Sequence, residues 1–230
     1  MKVSVAIPVY EMHGKGVEYL KYCLQSVFGQ TYLPYEIVVS DHSESYDIFN
    51  LCKSYSNNLI YYRNNKGRGS LANNLNSCMK ICTGDIIKFI MQDDYLFNKE
   101  SLAKIVSSFD SNKGWLASSY YHTENRKELF NLHVPTISKD MLFINRIGTP
   151  TCLTIKNGTD IWFDEELNWY VDSNFYTQLY KKYGEPVILK EPTAVQLLWE
   201  GQSTNTIINE DVIKNEELYL MKKYGAYRNG

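Results

Sequence analysis

No stretch of this sequence approaches the ~20 apolar residues needed to cross a bilayer, so nothing in it is expected to span a membrane. An excess of charge is missing too. Twenty-four Lys and Arg against 26 Asp and Glu leave a formal charge of −2, so no global positive field exists to hold nucleic acid. Cysteine is scarce: Cys23, Cys52, Cys78, Cys82 and Cys152 are odd in number and contain no CxxC pair, which fits a reducing, cytoplasmic setting rather than a disulfide framework. Cys78 and Cys82 share a helix face and read as buried apolar residues. The four histidines, His13, His42, His122 and His133, lack metal-ligand spacing. There is no Gly-x-Ser-x-Gly for a hydrolase and no Gly-x-Gly-x-x-Gly after a strand for a dehydrogenase. The opening apolar run is broken at Pro8 and ends at Glu11, which suits a buried strand better than a signal peptide.

What is present is the composition of an ordinary globular chain, 44% hydrophobic and 22% charged over 230 residues, expected to form one domain. Val3 to Val9 reads as a β-branched strand, and Val17 to Gln30 carries apolar residues at helical spacing. Strands follow at Tyr35 to Ser40 and Asn58 to Tyr62. A helix is expected over Leu71 to Ile81, closed by Gly84 as a left-handed cap, and then a strand over Ile86 to Met91. Such alternation requires a mostly parallel sheet flanked by helices, because parallel strands need long crossovers. Ligands in such sheets bind beyond the carboxyl ends of the strands, here after Val9, Ser40, Tyr62 and Met91. The second half predicts helices over Ser101 to Phe109, Ser138 to Asn145, Val171 to Tyr183 and Val212 to Lys223. Strands are expected at Trp115 to Tyr121 and Thr151 to Ile155, with a turn at Asn157-Gly158.

The most informative segment is Ile86-Ile87-Lys88-Phe89-Ile90-Met91-Gln92-Asp93-Asp94, an apolar strand that ends on adjacent carboxylates. Two like charges side by side need neutralising. A hard cation, Mn²⁺ or Mg²⁺, does this with oxygen ligands and can bridge to a diphosphate; a helix cap or solvated loop acids is the alternative.

Pro8-Val9-Tyr10, Ile37-Val38-Val39-Ser40-Asp41 and Gly84-Asp85-Ile86 through Asp94 together resemble family 2 inverting glycosyltransferases with the GT-A fold, and the likeness extends more weakly to about residue 205. The resemblance implies two halves, 1–97 binding the nucleotide sugar and 98–205 the acceptor, with a helical tail over 206–230. It implies a donor site drawn from Pro8, Tyr10, Glu11, Asp41, Arg68, Asn73, Gln92 and Asp93, with Asp41 on the base and Asp93 and Asp94 on the metal. Where the family usually has two acids after the second strand, this chain has one, in Ser40-Asp41-His42-Ser43. Asn73 stands where the family has arginine; Arg68 either replaces that charge or is a solvated loop cation. Glu200 occupies the place of a family histidine and is either a metal ligand or an exposed acid.

Gly148-Thr149-Pro150 is similar to the family's acceptor-side loop, and Trp169-Tyr170-Val171-Asp172-Ser173-Asn174 to the segment with the general base. Asp172 is then that base, the alternative being a helix cap. Trp169 and Tyr170 are candidates for acceptor contact. The implied reaction is sugar transfer from a nucleotide diphosphate sugar, UDP-linked, to a glycan or lipid-linked saccharide in bacterial surface-polysaccharide assembly. A mixed-charge segment, Val212 to Tyr227, would provide any peripheral contact with the inner membrane face. Two other readings stand beside it: a sugar nucleotidyltransferase, whose Gly-rich loop is poorly matched by Val9 to Gly16, and a non-catalytic glycan-binding protein on a transferase fold.

Overall fold

A computed structural model describes residues 1–55, 58–206 and 208–225. The chain runs β1 (Val3–Val9), α1 (Gly16–Phe28), β2 (Glu36–Asp41), α2 (Asp47–Cys52), β3 (Leu59–Arg63), α3 (Leu71–Ile81), β4 (Ile86–Phe89), β5 (Tyr95–Leu96), α4 (Ser101–Ser108), β6 (Trp115–Thr123) and β7 (Phe130–His133). It continues through β8 (Leu153–Lys156), α5 (Val171–Tyr183), β9 (Val187–Leu197), α6 (Ser203–Thr206) and α7 (Glu210–Tyr224). One sheet holds all the strands in the order β3-β2-β1-β4-β8-β6-β9-β5, with β7 beside β6. Pairing is parallel from β3 to β4 and between β6 and β9, whereas β8, β5 and β7 run against their neighbours.

The period of two in β1 sorts its side chains between two cores. Val3, Val5, Ile7 and Val9 pack with Leu20, Leu24 and Val27 of α1, Ile48 of α2 and Ile105 of α4. Ala6 faces the other way, into a core built from Leu75 and Cys78 of α3, Phe175 and Leu179 of α5 and Leu220 of α7. With both faces covered, β1 and β2 are buried along their whole length, which is why they read as continuous apolar runs. All five cysteines are free and buried.

Along β1 the backbone bonds alternate. Val3 and Val9 accept from Tyr35 and His42 on the β2 side, and Ala6 accepts from Ile90 on the β4 side. Position 8 belongs to the β4 side, where pairing stops at Ala6 and Phe89. Proline, which lacks the N–H, therefore costs no ladder bond, and the two strands part there. Strand order also reverses between β1 and β4, so this gap is the switch point at which ligands bind in such sheets.

Some expectations need correction. Ser138 to Asn145 forms turns rather than a helix: Phe143 and Ile144 bond back to Asp140, but the Asn145 side chain then binds the N–H groups of Ile147 and Gly148 and the carbonyl of Gly148. A local side-chain partner has displaced the helical ladder. Gly84 is not a left-handed cap. Glycine is needed there because a Cβ would meet the Ser4 hydroxyl at 2.7 Å and the Lys2 carbonyl at 2.9 Å. β9 has no counterpart in the sequence reading; a register shift of β9 against β6 passes Lys190 and Glu191 and brings Pro192 opposite Ser119. Part of the proposed membrane-contact segment, Ala226 and Tyr227, lies outside the described residues. Among the described residues no helix is long and apolar enough to cross a membrane.

Candidate active site

The loop after β4 carries both acids into the gap beside β1. Gln92 fixes it: its carbonyl accepts the Tyr10 N–H at 2.8 Å and its amide donates to the Gly16 carbonyl at 2.7 Å, so the ends of β1 and β4 are joined through one buried side chain. Asp93 accepts the Trp199 indole N–H at 2.8 Å. Asp94 has both oxygens engaged, one by the Leu197 N–H at 3.0 Å and the other by the Thr151 hydroxyl. Burial raises the pKa of both carboxyls, and for Asp94 the neighbouring Asp93 raises it further. Lys88, fully buried, donates to the Thr151 carbonyl. Desolvation lowers its pKa from 10.5 to about 8, against the pull of Cys152 and Asp94.

This donor set is thin for a metal. Among the described residues no group of three or more His, Cys, Asp and Glu could hold an ion. It fits a hard cation that takes one or two carboxylates and draws its remaining ligands from a diphosphate and water. Asp93 is 8% exposed against 2% for Asp94, whose two oxygens are both engaged within the protein. Glu200 is not drawn to the pair; it is exposed on a neighbouring cleft with Lys15, Glu124 and Trp199.

The other residues expected on the donor side divide. Pro8 is buried in β1, and the Tyr10 ring emerges beside the acids, its hydroxyl pKa raised by burial and then by Asp93. Glu11 ties two loops together by accepting the N–H groups of Glu44 and Ser45. Asp41 is wholly buried, and its oxygens accept from the Ser43 N–H at 2.8 Å and the Tyr61 hydroxyl at 2.7 Å, with Arg63 at 3.4 Å. Placed so, it orders the loop after β2. Arg68 points away to Asn65 and Glu44. Asn73 bridges Asn64 at 3.0 Å and Glu165 at 2.8 Å.

Asp172 lies in the first turn of α5 but does not cap it. The cap position is Tyr170, and among the described residues the buried Oδ1 of Asp172 has no hydrogen-bond partner. Desolvation lifts its carboxyl from 3.8 to about 7. Tyr120, Tyr176 and Cys152 all feel its charge, and Tyr120 also feels that of Asp94. The Tyr176 hydroxyl donates to the Gly148 carbonyl at 3.0 Å, joining α5 to the loop expected on the acceptor side. Trp169 is 40% exposed beside it, but Tyr170 is buried at 4%, so its ring faces the core rather than an acceptor.

Thr151, Trp199, Tyr120 and Lys88 were not singled out from the sequence. Only Lys88 left a signal, a lone charge inside an apolar strand that must find a partner.

Residues 4–171 match the family described as Glycosyl transferase family 2, well over half of the chain. The chain belongs to that family. Among curated family relatives it is similar to glycosyltransferase GlyA of Streptococcus pneumoniae serotype 4, at 28% identity over 138 residues covering 58% of this chain and 19% of that protein. It is also similar to poly(ribitol-phosphate) beta-glucosyltransferase of Bacillus spizizenii, at 32% over 102 residues, 42% of this chain and 15% of that one. The matched regions span less than a fifth of those relatives. Among solved structures, residues 1–349 of S. aureus TarS in complex with UDP-GlcNAc superpose with a TM-score of 0.73 at 22% identity, covering 100% of this chain and 68% of that one. The mannosyltransferase PcManGT of Pyrobaculum calidifontis, in complex with GDP-Man and Mn²⁺, gives 0.64 at 16%, covering 86% and 57%. The shared architecture is the GT-A fold, a mostly parallel sheet flanked by helices.

Proposed function

We propose that this glycosyltransferase moves a hexosyl group from a UDP-sugar to a hydroxyl of a glycan or lipid-linked saccharide, with inversion at the anomeric carbon. Asp172 carries the reading. A carboxylate with one oxygen buried and without a partner among the described residues, and with a pKa near 7, is matched to taking and holding a proton at neutral pH. It would remove the acceptor proton while that oxygen attacks the face opposite the leaving diphosphate. Trp169 would offer the acceptor an apolar ring face. Tyr10, Gln92 and Asp93 would line the donor side, and Asp93, supported through Asp94, would hold Mn²⁺ or Mg²⁺. A divalent cation so bound supplies neutralisation of the diphosphate charge. Uridine as the donor base is supported by the UDP-GlcNAc bound to the TarS structure. Surface-polysaccharide assembly is supported by the poly(ribitol-phosphate) named for one relative, and the reaction would take place at the inner face of the membrane.

The test is a thermal-shift panel of UDP-, GDP- and dTDP-sugars with and without Mn²⁺, because binding to the folded state stabilises by mass action. A UDP-sugar should raise Tm most, and only with the cation; equal response to GDP-sugars refutes the base assignment, and no response to any donor refutes transferase chemistry.

A further inference from the structure

The segment that delivers Asp172 has no regular structure from Asp164 to Tyr170, and α7, some fifty residues downstream, grips it. Glu216 of α7 is buried at 6% exposure. Its Oε1 accepts the Asn168 N–H at 2.7 Å, and its Oε2 accepts those of Trp169 at 3.0 Å and Tyr170 at 3.1 Å. One carboxylate thus satisfies three consecutive backbone donors immediately before α5, as a capping side chain would, but from another element.

The grip is repeated along α7. The Tyr170 hydroxyl donates to Glu217 at 2.7 Å, Asp164 accepts from Tyr219 at 2.9 Å and from Lys223 at 2.6 Å, and the Tyr224 hydroxyl donates to Asn174 at 2.7 Å. Leu220, fully buried, enters the core that holds Val171 and Phe175. Among the described residues Asp172 makes no such bond with Oδ1, so its position is inherited from the backbone beneath it.

We infer that Glu216 is a positioning residue for the Asp172 carboxylate, fixing the entry of α5 so that the base meets the acceptor hydroxyl. The inference rests on the proposed role of Asp172. Charge–dipole complementarity favours an anion at this helix start, but distance and direction are what the three bonds set. Glutamine at 216 keeps the volume, accepts through one oxygen only, and turns an NH₂ toward backbone N–H groups.

The experiment is a double-mutant cycle of Glu216→Gln and Asp172→Asn, read as UDP release from UDP-GlcNAc in Mn²⁺ with water as acceptor. Glu216→Gln should lower kcat by roughly tenfold to a hundredfold, the effect of a small displacement of a reacting group, with KM for UDP-GlcNAc unchanged. In the Asp172→Asn background it should cost almost nothing more, because groups acting as a unit are not additive. A kcat within twofold of wild type overturns the inference, as does a loss that multiplies with that of Asp172→Asn; the second result leaves the base in place. A silent Asp172→Asn overturns the base and the positioning role together, and a wild type that releases no UDP overturns both as well. Should Glu216→Gln not fold, Glu216→Asp, which keeps the charge and withdraws it by one methylene, enters the same cycle with the same expectations.

Discussion

Asparagine at position 172 is expected to make the protein more stable and less active at once. Burial raises the carboxyl from 3.8 to about 7, so the folded state prefers the protonated acid. The sign follows directly. Well below pH 4 the side chain is neutral whether folded or unfolded and costs nothing. Between the unfolded and folded pKa values the unfolded chain ionises first and the penalty grows. Above about pH 7 it is complete. With each tenfold change in proton affinity worth about 1.36 kcal/mol, the rise from 3.8 to about 7 corresponds to about 4 kcal/mol, an upper figure because local relaxation would relieve part of it. Asparagine does not titrate, so the stability difference between variant and wild type should widen from pH 4 to pH 8 and then stay level. Urea unfolding of both proteins across that range, with slopes compared to exclude a change in the exposed surface, reads the difference. UDP release at pH 8 should fall by roughly 10²–10⁴-fold in the same protein. Stability differences that stay parallel across pH would refute the burial argument, and an active variant would refute the base.

Three further outcomes are expected. Asp93→Asn should weaken UDP binding in Mn²⁺ at least tenfold, about 1.4 kcal/mol, and leave metal-free binding unchanged; calorimetry with and without Mn²⁺ decides. Gly148→Ala should destabilise by roughly 1–3 kcal/mol, since the backbone has φ +113 and a Cβ would fall on the Tyr120 hydroxyl; an unchanged Tm would show that the loop yields freely. Glu36→Gln should cost about 1–3 kcal/mol near neutral pH, because it replaces the oxygen that accepts the Thr83 hydroxyl with an amide donor and removes the charge from the bonds that Ser4 and the Thr83 N–H make to the other oxygen. Burial pushes that carboxyl up, but the hydrogen bonds outweigh it and hold it below 4.5, so the wild-type advantage should disappear as pH falls through the acid range, as thermal melts would record.

The parts of the fold that were legible are those where one physical rule acts alone. β1 reads as a strand because both faces are covered, and α3 and α5 because their apolar positions repeat at helical spacing. β9 was not legible: Lys190, Glu191 and Pro192 interrupt its apolar pattern, and only pairing with β6 makes a strand of it. The acids at 93 and 94 stood out as a charged pair at a strand end. Their partners did not, since Thr151, Leu197 and Trp199 reach them from the turn before β8, the end of β9 and the loop that follows it. Whether Asp172 capped its helix could not be read locally either, because the donors that precede it are satisfied by Glu216.

The proline in β1 has a consequence for how the cleft stays open. Parallel strands zip for as long as each can answer the other's N–H, and position 8 is where β1 fails to answer β4. Proline thus acts as a zipper stop. Alanine or valine there would restore the missing donor opposite the chain leaving β4 and allow the pairing to run on toward Gln92, drawing the two acids toward the strand. Pro8 therefore stands where β1 and β4 cease to pair, and the loop that Gln92 holds begins beyond it.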